Sequence, residues 1–223
     1  MKLSIVTINY NNAEGLRRTL ASVMAQTCHE IEHVIVDGAS ADESVNIIHE
    51  YEALNTSSKN PLSIKWCSEP DGGIYNAMNK GIKQASGDYI QILNSGDILA
   101  SNDVVKKMLA AIETNKNPDF LYGNMVKKDY STGKIIGKSQ NIEYSLRQYY
   151  SSTMNHDCCY ISKSLYEKYG LYDESLKIVS DWKWFLQAIG MGDVRPIYVD
   201  IDVTIFDASG ISETNIDLRN EER

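Results

Sequence analysis

The stretch Glu69–Asp97, EPDGGIYNAMNKGIKQASGDYIQILNSGD, decides the fold. A Gly pair opens it, apolar side chains at helical spacing predict a helix over 74–85, and DYIQIL follows as a short apolar run of the kind that forms a buried strand. That strand runs into the polar turn NSGD, which ends on an acid. Upstream, LSIVTI, EHVIVD and SIKWCS are further strand-like runs, separated by a helical pattern over 15–26 and another from about residue 42 with Ser40 or Asp42 as its cap. Downstream come a helix over 102–115 and the strand DFLYG. Strand and helix therefore alternate up to about residue 123, which is the pattern of an α/β protein with a mostly parallel sheet and helices on both faces.

Three acids, Asp37, Asp71 and Asp97, each follow one of these strands. In an open α/β sheet ligands bind outside the carboxyl ends of the strands, so the three converge on one site. Such a site wants a cation, or a ligand that brings one. Beyond Gly123 the character changes. NMVKKDYSTGKIIGK reads as a hairpin turning at 131–133, DCCYIS as a short strand, KSLYEKYG as a short helix and SDWKWFLQAIGMG as a helix stopped by Gly. The tail ETNIDLRNEER is polar and expected to fray. The whole of 1–223 is expected to form a single domain.

The formal charge of −8 argues against nucleic acid as a partner, because sequence-independent binding there depends on Lys and Arg neutralising phosphates. It also means that an acidic pocket repels a diphosphate unless a divalent metal lies between them. The four cysteines lack CxxC spacing and read as reduced structural thiols. The opening MKLSIVTI is too short an apolar run for a signal peptide, and no run approaches the ~18 apolar residues that span a bilayer. The expectation is a cytoplasmic protein with at most peripheral contact with a membrane.

The first strand–helix turn, NYNN, lacks both GxGxxG and GxxxxGK, which speaks against a dinucleotide-binding unit and a P-loop. Its Asn and Tyr side chains can present amides and an aromatic face to a nucleobase; equally, Asn11 and Asn12 can simply cap the next helix. Asp37, in VDGAS, can accept from a base N–H or a ribose hydroxyl, or serve only its turn. Asp71 can be a ligand residue or an ordinary helix entry. In NSGD, Asn94 and Asp97 offer oxygens to Mg²⁺ or Mn²⁺, and a metal there would bridge the phosphates of a nucleotide-sugar.

Taken together, SIVTINYNN, VIVDGASADES, SEPDGGIYNAMNKGIKQASGDYIQILNSGD and GLYDESLKIVSDW resemble glycosyltransferase family 2, inverting enzymes of the GT-A fold that use nucleotide-diphosphosugars. The resemblance implies that 1–123 forms a nucleotide-sugar-binding half and 124–223 an acceptor-binding half. It implies that Thr7, Asn9, Tyr10, Asp37, Asp71 and Asn94 hold the nucleotide, and that NSGD stands in for the family's DXD motif, with Asp97 anchoring Mn²⁺ or Mg²⁺. Asp181 would be the base that deprotonates the acceptor hydroxyl, although its place at a helix start also suits a cap. His156 and Trp182 would line the acceptor side. The donor implied is a nucleotide-diphosphosugar, UDP-linked as the commonest case, and the acceptor a glycan or lipid-linked hydroxyl in polysaccharide biosynthesis.

Two departures stand out. Asn94 and Gly96 occupy the two Asp positions of DXD, and Met78 stands where many members carry a phosphate-binding Arg, leaving Lys80 or Lys83 as substitutes. The QxxRW motif of processive members is absent, so a single addition is expected. Two other readings compete. A sugar nucleotidyltransferase would need a Gly-rich basic loop where NYNNAEGLRR stands, and a non-catalytic nucleotide-sugar-binding protein would have no use for Asp181.

Overall fold

The computed structural model describes residues 1–130, 132–139, 154–208 and 215–223. The chain order is β1 (Leu3–Asn9), α1 (Ala13–Met24), β2 (Ile31–Asp37), α2 (Ser44–Thr56), β3 (Ser63–Ser68), α3 (Ile74–Gln84), β4 (Tyr89–Ile92), β5 (Ile98–Leu99), α4 (Val104–Thr114) and β6 (Phe120–Asp129). It continues with β7 (Lys134–Lys138), a 3₁₀ turn (His156–Cys158), β8 (Cys159–Ser162), α5 (Lys163–Tyr169), α6 (Ser180–Phe185), β9 (Ile197–Asp207) and α7 (Ile216–Glu222).

One sheet runs in the order β3-β2-β1-β4-β8-β6-β9-β5, with β7 beside β6. β3, β2, β1 and β4 are mutually parallel, as the alternating pattern predicts. β8 then inserts antiparallel between β4 and β6, and β9 pairs parallel to β6 and antiparallel to β5. Strands from both sides of residue 123 thus share one sheet. β1 and β2 are buried along their whole length, which is why they read as unbroken apolar runs rather than alternating ones. β3, at the edge, shows the alternation of a half-covered strand.

β6 and β7 form the expected antiparallel hairpin, pairing Val126 with Lys138; Ser131 of its turn lies outside the described residues. α6 runs on through a single π-turn over Leu186–Gly190 before the chain reaches Gly192. All four cysteines are free thiols. Among the described residues no helix is long and apolar enough to cross a membrane.

Two elements depart from the sequence expectation. β9 was not anticipated, and it carries the sheet across the back of the 94–97 turn. From Asn215 on, the tail does not fray but forms α7. Asn215 caps that helix, accepting from Leu218 N–H at 3.4 Å. Glu222 accepts from the backbone N–H groups of Lys177, Ile178 and Val179 at 2.7, 2.9 and 3.3 Å. Leu218 packs on the Ile178, Val179 and Trp182 cluster, and the Arg223 guanidinium lies 5.6 Å from the Trp182 ring centroid. Three satisfied amides and one apolar contact outweigh the polar composition of the segment.

Candidate active site

The carboxyl ends of β1, β2 and β3 are tied together by Asp37. Its Oδ1 accepts from Asn9 Nδ2 at 2.8 Å and Ser40 Oγ at 2.6 Å, and its Oδ2 from Ser40 N–H at 2.9 Å and Ser68 Oγ at 2.7 Å. Burial by itself raises this carboxyl's pKa, and the hydrogen bonds from Ser40, Ser68 and Asn9 more than reverse that, leaving it below the usual carboxylate range. Asn9 also donates to Ser44 Oγ at 2.9 Å, while its own Oδ1 is buried without a hydrogen-bond partner among the described residues.

Beyond Asp37 opens a cleft of about 730 Å³, lined among others by Asn9, Tyr10, Gly38, Asp71, Asn94 and Ser95. Tyr10 is 67% exposed at its mouth, an aromatic face without a partner ring among the described residues. A Cβ at Gly38 would stand 2.7 Å from Asp71 Oδ2 and 3.1 Å from Tyr10 Cδ2, so only glycine lets these two side chains close on the same space. Asp71 is held by Gly73 N–H at 2.9 Å. The NYNN turn is fixed by its asparagines: Asn12 accepts from Gly15 N–H at 3.2 Å, capping α1, and donates to Ser95 O at 3.0 Å, while Asn11 accepts from Ala41 N–H at 2.8 Å. Capping and site-building therefore coincide.

Thr7 does not reach this cleft. Its hydroxyl is buried against His33 Nε2 at 3.0 Å, and His33 Nδ1 meets Tyr51 OH at 2.8 Å. Burial pushes the His33 pKa down to about 3, so the imidazole is a neutral core group.

Asn94 and Ile74 also line a second cavity of about 210 Å³, which holds His156, Asp157 and Asp181. Asp181 is the most constrained group in it. Its Oδ1 accepts from Tyr75 OH at 3.0 Å and from Trp182 N–H at 2.8 Å, and its Oδ2 meets His156 Nδ1 at 2.9 Å. The Asn94 amide lies 3.1 Å from His156 Nε2. Burial alone would lower the His156 pKa, but the hydrogen bond and charge of Asp181, with the Asp157 and Asp97 carboxylates, push it up to about 9. It is Asn94 Nδ2 that faces His156 Nε2, and Asn94 Oδ1 is buried without a hydrogen-bond partner among the described residues; a protonated imidazole, which donates from both nitrogens, would be met by the amide turned over.

His156 gives a pH prediction. Its folded pKa lies above the ordinary value of 6.5, so its contribution to stability is complete below about 6.5 and is lost as pH rises through about 9. Urea-unfolding midpoints should fall across that window and His156→Gln should flatten the fall; a wild-type slope retained in the variant would refute the assignment.

Trp182 lines the second cavity, but Arg223 covers one face of its indole. Trp184 is core, its Nε1 donating to Gly170 O at 2.8 Å. Met78 is buried and lines the second cavity. Lys80 pairs with Glu69 at 2.8 Å and donates to Pro70 O, and neither it nor Lys83 lines either space.

The 94–97 turn does not suit a hard divalent cation, which takes six or more oxygen ligands, normally including one or two protein carboxylates. Asp97 is buried behind the turn, accepts from Asp207 N–H at 2.9 Å and lines neither cavity. Burial and the nearby Asp157 hold its carboxyl well above the usual range. Gly96, at φ +108°, carries no side chain and sits in backbone space where any other residue is strained. Asn94 is neutral and engaged by His156. Among the described residues no group of three His, Cys, Asp or Glu side chains is placed to hold a metal. Asp97 instead anchors β9, while Arg18 pairs with Asp207 at 3.0 Å.

The residues that sequence reading missed are Tyr75, Asp157, Lys177, Arg219 and Arg223, all lining the second cavity. Their only signal was position: Tyr75 opens a helix of apolar periodicity, and the two arginines lie in the segment read as frayed.

The sequence profile described as Glycosyl transferase family 2 matches residues 4–170, from β1 through the glycine after α5. An uncharacterized glycosyltransferase of Mycobacterium tuberculosis is 32% identical over 212 residues, 94% of this chain and 76% of the relative. A PGL/p-HBAD biosynthesis glycosyltransferase of Mycobacterium bovis is 26% identical over 96% of this chain and 80% of its own length. Among solved structures, S. aureus TarS 1–349 in complex with UDP-GlcNAc superposes with a TM-score of 0.76 at 21% identity, over 96% of this chain and 61% of that one. The mannosyltransferase PcManGT of Pyrobaculum calidifontis, in complex with GDP-Man and Mn²⁺, gives 0.70 at 16% identity, over 93% of this chain and 57% of that one. This chain thus spans about 60% of either solved chain, and the shared architecture is the GT-A fold. With the profile covering both the Asp37 cleft and the cavity entrance at Asn94, the chain belongs to glycosyl transferase family 2 and is a glycosyltransferase.

Proposed function

We propose that this enzyme transfers one sugar from a nucleotide-diphosphosugar to a hydroxyl of a glycan or lipid-linked acceptor, with inversion, in polysaccharide or glycolipid assembly. The observation that carries the reading is a pair of neighbouring spaces that share Asn94 and Ile74 in their walls. A cleft large enough for a nucleotide, faced by Tyr10 and Asn9, lies beside a smaller cavity in which Asp181 is held on three sides.

The nucleobase stacks on Tyr10, with Asn9 and Asp37 setting the loop rather than touching the base, and Asp71 closing the far wall. The sugar lies across Asn94 with its anomeric carbon toward Asp181. Asp181 Oδ2 has one acceptor site taken by His156 and one open, and the open one takes the proton as the acceptor oxygen attacks. A bond forms between that oxygen and the anomeric carbon, the bond to the diphosphate breaks on the opposite face, and its electron pair leaves on the phosphate oxygen. Tyr75 and Trp182 N–H hold the carboxylate in place through the step.

A uridine nucleotide is the donor class we favour, since the TarS structures carry UDP and UDP-GlcNAc on the same fold. A thermal-shift screen of nucleoside diphosphates and their sugars tests this: a UDP ligand should raise the melting temperature selectively, and stabilisation by none of the panel would refute the reading. Tyr10→Ala should weaken UDP binding by about 10- to 100-fold, the worth of one base–aromatic stack. Titration calorimetry measures it, and an unchanged Kd would remove Tyr10 from the site.

A further inference from the structure

Among the described residues, the large apolar side chains left most exposed are Tyr10, Leu54, Ile135, Ile136 and Met191. Tyr10 belongs to the cleft, and Leu54 and Met191 stand singly, as is ordinary for a protein surface. Ile135 and Ile136 differ: they are adjacent on β7, 70% and 55% exposed. Successive strand residues point to opposite faces, so the β6–β7 hairpin is uncovered on both sides at this point. A folded partner laid against the arm covers one face; a medium that surrounds the arm covers both.

The arm is also basic. Residues 126–138 hold four lysines and one acid, in a chain whose formal charge is −8. The acid, Asp129, is turned onto the hairpin's own turn, accepting from Thr132 Oγ1 at 2.8 Å, and Lys138 pairs with Asp202 at 2.6 Å. Lys134 is exposed beside Ile135, and Lys128 stands opposite Ile135 in the β6–β7 pairing. Beyond about 8 Å at physiological ionic strength charges are largely screened, so the arm's own lysines decide what approaches it rather than the acid excess of the whole chain. β6 and β4 are both antiparallel to β8 and so run the same way, which puts the Asp129 end of β6 at the cleft end of the sheet. Arg18 ties the two regions together. Its guanidinium lies 4.5 Å from the Tyr130 ring centroid and pairs at 3.0 Å with Asp207, whose amide holds Asp97.

We propose that the β6–β7 hairpin docks this protein on an anionic lipid surface, with Ile135 and Ile136 entering the headgroup region and Lys128 and Lys134 facing lipid phosphates. The cleft end of the sheet is thereby brought to the bilayer. Two apolar side chains and a few lysines make a weak, reversible anchor, of the kind that works only when both signals are present. The docking does not depend on the sugar transfer or on the donor.

Co-sedimentation of the full chain with vesicles of phosphatidylcholine, alone or with about one-third phosphatidylglycerol, tests it. The expected result is partition onto the anionic vesicles about tenfold or more above that onto the neutral ones, weakening as salt is raised. Ile135→Ser combined with Ile136→Ser should lower that partition by about tenfold or more, and Lys134→Gln, which leaves the apolar pair in place, by about fivefold. Equal partition onto both vesicles, or none, overturns the proposal. So does a partition indifferent to both variants when they melt like the parent. Sedimentation without lipid supplies the remaining outcome: a dimer that the isoleucine substitutions dissociate would give the arm to a second copy of the chain and overturn the lipid assignment. Failure of every nucleotide to stabilise the protein would overturn the transfer reading and leave the docking intact.

Discussion

Asp181→Asn lowers sugar transfer by about 10²- to 10⁴-fold and leaves UDP affinity unchanged. The amide keeps the volume of the carboxylate, and its oxygen can still accept from Tyr75 and Trp182 N–H, so the cavity retains its shape. What disappears is the carboxylate oxygen that, in the proposed mechanism, takes the proton of the acceptor hydroxyl. In free-energy terms the loss is about 3–5 kcal/mol of transition-state stabilisation. Initial rates of nucleoside diphosphate release with and without acceptor measure it, alongside UDP titration to confirm an intact donor cleft. Wild-type turnover in the variant would assign the proton to another group.

Asp37→Ala has the largest expected effect on stability. It removes the acceptor for four hydrogen bonds from Asn9, Ser40 and Ser68 in a fully buried position. Stranded buried donors cost ~1–3 kcal/mol each, and some of these can turn to one another, so a net loss on the order of 3–5 kcal/mol is expected. For a chain of this size that is a fall in melting temperature of roughly 6–20 °C. The native carboxyl has a depressed pKa, so its contribution stands above the ordinary carboxylate value and is lost as pH falls through the folded one. Wild-type and variant melting curves should therefore converge in acid. A variant as stable as the parent at neutral pH would show that the strand ends are held by other means.

Most of the parallel half of the sheet was legible, because β1, β2 and β4 are short apolar runs set between amphipathic helices and each ends in a polar turn. β9 was equally written in the chain: Ile197, Val199, Ile201, Val203 and Ile205 alternate with Tyr198, Asp200, Asp202, Thr204 and Phe206. It escaped because its partner β6 lies some seventy residues upstream in sequence, and alternation alone names no partner. The reading of α7 failed for a different reason. Its stability comes from Glu222 meeting three amides forty-odd residues earlier in the chain, a contact that local composition does not encode. At the site, residue types were read well and directions were not. Thr7 and Asp97 share the strand ends and turns of the ligand residues, yet their side chains point into the protein, toward His33 and the Asp207 amide. A strand alternates sides at every residue, and the sequence does not say which side is the cleft.

The placement of β5 has a consequence for biosynthesis. Ile98 and Leu99 pair with β9, and Asp97 meets the Asp207 amide across 110 residues of chain. At about 5–20 residues per second, a ribosome needs roughly 6–22 s to travel from one to the other. Through that interval the nascent chain carries β1, its parallel neighbours and the contacts that Ile8, Asn12 and Thr19 make to the 94–97 turn, and lacks the clasp of that turn to β9. A nascent polypeptide stalled before residue 197 should therefore hold a folded cleft whose 94–97 turn is formed but not yet clasped to β9.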